Sequence, residues 1–336
     1  MKYAGPTFAL LLSTMLLVAP CQIADANAQD KIKITFSTFF PMAYEYGVKP
    51  IELFMQRVEE RSGGRVGFEF FHSAQLFGGK EEFGALARGD IDMAAPVDIY
   101  HTGQVPALGI TNLPFLWPSP ASLQKTLDAG LWDLGLRDAL RANNIVVLNV
   151  AVCGPNQIYA RDFPVRGPED FAGKKWAASG TTAAKAIELM GGAPTTMTSA
   201  ELYLALQRGT VDGTTRPLLT GIGRKLYEVN KYLTIVNMNY CTIMLAINKD
   251  RWDALPADIR EIMKGAATER SQDQLALVEA FRDGAIAEFK AKGVEVHIAD
   301  EAAVAAFKAK MAPVYDWWKG EVEGGERLIE FARRHR

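Results

Sequence analysis

The chain has 336 residues, 49% hydrophobic and 23% charged, with a formal net charge of −2 at neutral pH. So apolar and so nearly neutral a composition excludes a disordered chain, and 37 basic against 39 acidic residues lack the footprint of a nucleic-acid binder. The length suits two ordinary domains, each with a sizeable core.

The first 28 residues read as an export leader. Lys2 supplies a basic start, residues 10–12 and 15–19 form a short apolar core, and Ala26-Asn27-Ala28 fits the small-x-small cleavage rule. The mature chain is then expected to begin near Gln29, with its net charge unchanged because the leader removes only Lys2 and Asp25. The apolar core is shorter than the roughly 20 residues of a transmembrane helix. Cys21 suggests a lipoprotein, but Pro20 stands where such sites want a small residue, so export by cleavage is favoured. No later run is apolar enough to span a membrane. Cys153 and Cys241 survive maturation, both in strand-like apolar runs. An exported protein can pair them; the plainer reading is two buried thiols, and the sequence leaves pairing open.

Residues 32–37 alternate apolar and polar, as a half-buried strand does. Ile51, Phe54, Met55 and Val58 then share one helix face opposite Glu52, Arg57, Glu59 and Glu60, and Gly63-Gly64 ends that helix. An alternating strand follows at Val66, Phe68 and Phe70, then a helix over 80–88 and a turn entering a strand over 89–95. This alternation predicts an α/β sheet with parallel pairs. Residues 145–152 form a continuous apolar run suited to a strand buried on both faces. After it the pattern restarts: a strand after 170–175, a helix over 182–190, a strand at 195–197, and a helix over 199–208 with Ser199 as N-cap. Two α/β units in succession imply two lobes with a cleft between them. Residues 236–248 read as a strand returning to the first lobe. Residues 256–292 read as one helix of roughly 50 Å, long enough to bridge both lobes. Residues 302–319, with Tyr315, Trp317 and Trp318, read as a further helix.

Several stretches resemble the extracytoplasmic solute-binding proteins of TRAP transporters, the DctP-type family. They are residues 73–79, residues 86–92, residues 165–173, Gly192-Ala193-Pro194, the run from Ser199 through Gly213 on to Tyr232, and residues 248–256. Each is weak alone; their order and spacing are specific, and the likeness covers nearly all of the mature chain. The resemblance implies a two-lobed α/β clamp of the periplasmic-binding-protein kind (type II-like), with a long helix bridging the lobes, closing on its ligand by a hinge. Lobe I is expected over 29–153 plus about 242–281, and lobe II over 154–241 plus about 282–336. The resemblance also implies a periplasmic receptor that hands a small organic anion to TRAP membrane permease subunits, with no cofactor.

The family's usual carboxylate anchor is an arginine in the stretch that here reads Gly173-Lys174-Lys175-Trp176-Ala177. Counting from Gly173 puts Ala177 at that place, and counting back from Pro194 puts Trp176 there; neither is an arginine. Arg216, in Val211-Asp212-Gly213-Thr214-Thr215-Arg216-Pro217, offers a substitute from a neighbouring strand, able to fork onto a carboxylate. Its plain alternative is a surface arginine paired with an acid. Thr214 and Thr215 offer hydroxyls, or are ordinary strand residues. Trp176 offers a broad apolar face for a ligand body, or is core. Phe39, Phe40 and Tyr44 suggest a cleft for an aromatic or bulky acid, or pack beneath their loop. Asn156 follows the lobe crossing, as ligand contact or turn residue. Asp98 would favour an amine-bearing or hydroxylated ligand if it faces the cleft. Asn237, Asn239 and Tyr240 lie on the return strand near the hinge.

An enzyme is the first rival reading. His72, His101, His297 and His335 have no metal-ligand spacing, no Gly-x-Ser-x-Gly elbow or phosphate loop occurs, and Asp92 with Asp98 is a weak carboxylate pair. Two other readings keep the fold: a clamp for an amine or neutral solute, and a receptor that feeds a periplasmic sensor.

Overall fold

The computed structural model describes residues 1–3 and 31–336. The leader's apolar core and expected cleavage site lie outside the described residues. β1 (Ile32–Ser37) buries Ile34 and Phe36, and α1 (Glu45–Arg61) lays Tyr46, Val48, Ile51, Phe54 and Val58 on the sheet. Gly63 and Gly64, both at positive φ, turn the chain into β2 (Val66–Phe71), which pairs parallel with β1. α2 (Glu82–Arg88) ends at Gly89 with φ 80° and leads to the short β3 (Met93–Ala94), parallel to β1 on its other side.

The stretch from 98 to 142, which carries little periodicity, forms 3₁₀ turns and two short helices. These are α3 (Pro120–Asp128), whose N-cap Ser119 Oγ accepts from Ser122 N, and α4 (Leu136–Ala142). β4 (Ile145–Ala160) is twice the length its apolar run suggests. There follow β5 (Lys175–Ala178), α5 (Thr181–Leu189), β6 (Ala193–Thr196), α6 (Leu202–Gln207), β7 (Gly213–Pro217), α7 (Leu218–Gly223), β8 (Tyr232–Ile235) and β9 (Tyr240–Asn248). Ser199 does not cap α6; Glu201 closes that turn, its carboxylate accepting from Thr198 N and Oγ1. The chain ends with α8 (Lys249–Ala254), α9 (Ala257–Ala291), β10 (Glu295–Ile298), α10 (Glu301–Met311), α11 (Pro313–Glu321) and α12 (Gly325–His335). The single helix expected over 302–319 is two, broken at Pro313, which lacks the N–H that would continue the first. α12 buries Leu328, Ile329 and Ala332 and was not foreseen.

The sheet runs β2-β1-β3-β9-β4-β7-β5-β6, with β8 on β4 and β10 on β8. β4 joins its two halves. Its residues 145–155 pair antiparallel with β9, and Asn156 to Ala160 pair antiparallel with β7. Between them the register slips after Val152, where Gly154 sits at φ 96° with Tyr46 Oη close by. That slip carries a crosslink. The reading of Cys153 and Cys241 as free thiols gives way: the two are bonded, tying β4 to the start of β9. α9 runs past both halves, as its 35 residues allow. Its first part meets α1 through Arg57–Asp273 and Arg61–Glu269 pairs and the turn after α1 through Arg65–Asp258, and its last part buries Ala285, Ile286 and Phe289 against α7 and β8. Between them the buried Arg270 donates to Ile243 O at 3.1 Å and Gln274 to Val152 O at 2.8 Å, fixing the helix to both crossing strands.

Candidate functional site

β1 and β3 run parallel, as do β5, β6 and β7, and segments at or beyond the carboxyl ends of β1, β3, β6 and β7 converge on one cavity. Open α/β sheets place ligands at such ends. The first half contributes Phe39, Phe40 and Tyr44 after β1, and Val97, Ile99 and Tyr100 after β3. The second half contributes Ser199 after β6, Arg216 and Pro217 from β7, and Leu219 and Thr220 from α7. Ile243 and the Cys153–Cys241 disulfide complete the wall at the crossing strands.

The aromatic side is a packed stack. Phe39 lies 4.5 Å from Phe40 and 5.7 Å from Tyr100 between ring centres, and Phe40 stacks on Tyr44 at 5.5 Å. Gly79 makes room for Phe39: a Cβ there would stand 3.1 Å from the ring. As closed here, the walls leave about 20 Å³, little more than one water needs.

Arg216 is the chemical centre of this cavity. It is 1% exposed, and Nη1 donates to Thr215 O at 2.7 Å while Nη2 donates to Met197 O at 2.9 Å and, more weakly, to Ala178 O at 3.4 Å. Nε has no partner, and no carboxylate among the described residues is within ion-pair reach. Glu201, the acid whose charge acts on it, is occupied by Thr198. Burial pulls the guanidinium below its ordinary pKa, opposed weakly by Tyr100, Tyr44 and Glu201. A buried cation with no counter-charge is costly, and such a group marks a place where an anion belongs. The hydroxyls of Tyr44, Ser199 and Ser179 are also buried without partners, and burial pushes the Tyr100 phenol up, its oxygen accepting from Ser199 N at 3.0 Å.

The structure brings Arg216, Phe39, Phe40 and Tyr44 together and places the other candidates elsewhere. Trp176 is fully buried in the second half's core, stacked on Phe171 at 3.9 Å, with Nε1 donating to Phe171 O. Strand alternation explains the separation of Thr215 from Arg216, which point to opposite faces of β7; Thr214 donates to Ala177 O inside the sheet. Asp98 does not face the cavity. Its carboxylate accepts from Thr111 Oγ1, Thr242 Oγ1, Thr242 N and Ile99 N, so it staples the loop after β3 onto β9. Burial still lifts its pKa to about 6, those four bonds pulling the other way. Asn156 Nδ2 donates to Asn239 Oδ1, and Asn239 Nδ2 to Asn112 O, a chain that locks the strand crossing. Asn237 and Tyr240 border a separate recess with Gln157, Leu218 and Arg282. That recess holds no comparable orphan charge: Gln157 and Asn237 bond each other, and Arg282 pairs with Asp283.

Tyr100, Ser199, Leu219 and the disulfide were not singled out as cavity residues. The signal for the first two is position alone, one loop beyond the end of a parallel strand. Among the described residues no helix is long and apolar enough to cross a membrane, and no group of three or more His, Cys, Asp or Glu is placed to hold a metal ion.

The model of bacterial extracellular solute-binding protein, family 7, matches residues 44–321. The C4-dicarboxylate-binding periplasmic protein DctP of Rhodobacter capsulatus is 29% identical over 266 residues, 78% of this chain and 79% of that one. Among solved structures, a TRAP periplasmic solute-binding protein of Chromohalobacter salexigens with bound D-glucuronate superposes with a TM-score of 0.84 at 26% identity, covering 91% of this chain and all of the other. One from Ralstonia eutropha H16 with bound (S)-2-acetolactate does so at 0.82 and 27%, covering 90% and 98%.

Proposed function

This chain belongs to bacterial extracellular solute-binding protein family 7, a family of binding receptors rather than enzymes, and we propose that it captures a small organic acid in the cavity around Arg216 and delivers it to a TRAP membrane permease. The observation that carries this reading is the buried guanidinium without a carboxylate partner. Relatives that match along most of the chain support it, since C4-dicarboxylate, D-glucuronate and acetolactate are all carboxylates.

Arg216 stands in for the missing anchor. Trp176 and Ala177, the two residues at the family's arginine place, sit on β5, and the Arg216 guanidinium reaches across from β7 to Ala178 O at the end of that strand. A carboxylate on the open Nε edge would neutralise the cation through charge-assisted bonds. Tyr44 and Ser199 then supply hydroxyls, and Phe39 and Phe40 cover the body. The closed walls are too near for a solute to pass, so the lobes part and reclose about β4 and β9. Ligand favours the closed form because only there do residues of both lobes touch it. The leader would export the chain, and the closed complex is the form that docks on the permease.

A thermal-shift comparison tests this reading, with small carboxylic acids in one set and their amides in the other. Acids are expected to raise the melting temperature by mass action while matched amides do not. Stabilisation by amides or amines alone would overturn it.

A further inference from the structure

The cavity's inventory points beyond "organic acid". We propose, resting on the receptor reading above, that the preferred solute is a monocarboxylate with a compact apolar body, aromatic or branched aliphatic, and not a dicarboxylate or a sugar acid. The cavity lining contains one cation, Arg216, and no acidic side chain. One cation matches one carboxylate. Apart from the hydroxyl-bearing Tyr44, Tyr100, Ser199 and Thr220, the rest of the lining is apolar, with Phe39, Phe40, Ile99, Leu219, Ile243 and the disulfide prominent.

A second carboxylate would have to sit against those groups, where nothing pays back its lost hydration. Arg224 is a second cation beside the aromatic wall. It lies over the Tyr44 ring at 5.3 Å, with Nε and Nη2 buried and unpartnered, but it is not part of the cavity lining. Tyr44 fills the space between it and the solute. A dicarboxylate spanning Arg216 and Arg224 would therefore have to displace Tyr44 from its stack on Phe40.

A uronate meets a different obstacle. Its ring carries several hydroxyls, each of which needs a partner once water is expelled. The cavity offers only the hydroxyls of Tyr44, Tyr100, Ser199 and Thr220 beside Arg216, and the rest of its wall is apolar. A site of this kind discriminates strongly against solutes whose polar groups it leaves unpaired. Size acts in the same direction. With only about 20 Å³ left between them, the walls reclose with least displacement around a slim, flat body.

Calorimetric titration of the mature protein would compare phenylacetate and 4-methylpentanoate with succinate and D-glucuronate, and phenylacetamide with phenylacetate. The expected result is at least tenfold tighter binding of one apolar monocarboxylate than of succinate or glucuronate, at least tenfold loss for the amide, and a Kd within about twofold in Arg224→Gln. Tighter binding of succinate or glucuronate, or a large loss in Arg224→Gln, overturns this inference and leaves the organic-acid reading standing. An amide that binds as well as its acid, or no binding by any of the four acids, overturns both.

Discussion

β5 and β7 are neighbouring strands of one half-sheet, and each buries one large side chain almost completely: Trp176 on the first and Arg216 on the second. Trp176 is satisfied where it lies. Its ring stacks on Phe171 and its one donor meets Phe171 O. Arg216 is not satisfied: it spends two nitrogens on three backbone carbonyls and keeps its charge and Nε uncompensated. Burial alone therefore does not mark a binding residue in this fold. An uncompensated charge inside an aromatic cavity is the better marker, and in the proposed reading the anchoring role lies on β7 rather than β5.

The sharpest way to break that contrast is Trp176→Ala. Removing an indole from a closed core should cost about 3–5 kcal/mol, read as a lower denaturant midpoint, with solute affinity in the surviving folded protein within about threefold of the parent. A large affinity loss at unchanged stability would return Trp176 to the site. Next in size is the crosslink. Cys153→Ala with Cys241→Ala opens a loop whose ends are 88 residues apart, which should cost about 2–5 kcal/mol and lower the melting temperature. An unchanged melting temperature under oxidising conditions would contradict a formed bond.

Asp98 gives a smaller effect with a definite sign. Its folded pKa is raised from 3.8 to about 6, so its contribution to stability is complete below about pH 4 and is lost as pH rises to about 6. The change amounts to up to about 3 kcal/mol. In Asp98→Asn the side-chain oxygen can still accept from Ile99 N and Thr242 N, while its amide faces the two hydroxyls. The variant should fold and lose that part of the pH dependence, measured as the difference in unfolding free energy between pH 4 and 6. An unaltered slope would contradict the assignment.

Much of the architecture was legible because periodicity reports burial. β1, α1, β2 and the 35-residue α9 stand within a few residues of where alternation and helical spacing put them. What failed did so for local reasons. The stretch from 98 to 142 is built of 3₁₀ turns and short helices held by long-range groups such as Asp98, which no period reveals. The pairing of Cys153 with Cys241 depends on the register slip at Gly154, a three-dimensional fact. At the cavity, Arg216 and the aromatic loop were readable from motif position. Asn156 and Asn239 were not separable from ligand contacts, since polar residues that lock a strand crossing have the same composition as those that hold a solute.

Arg216 carries the proposed binding role, and the most direct measurement is calorimetric titration of Arg216→Met beside the parent with the tightest-binding acid. A loss of at least about 100-fold in affinity, roughly 2.7 kcal/mol, is expected, with the melting temperature of the solute-free protein within a few degrees. Arg216→Lys, which keeps the charge and loses the planar fork, should fall between the two. An affinity for the acid within about threefold of the parent in Arg216→Met, in a protein that still melts cooperatively, would contradict the account.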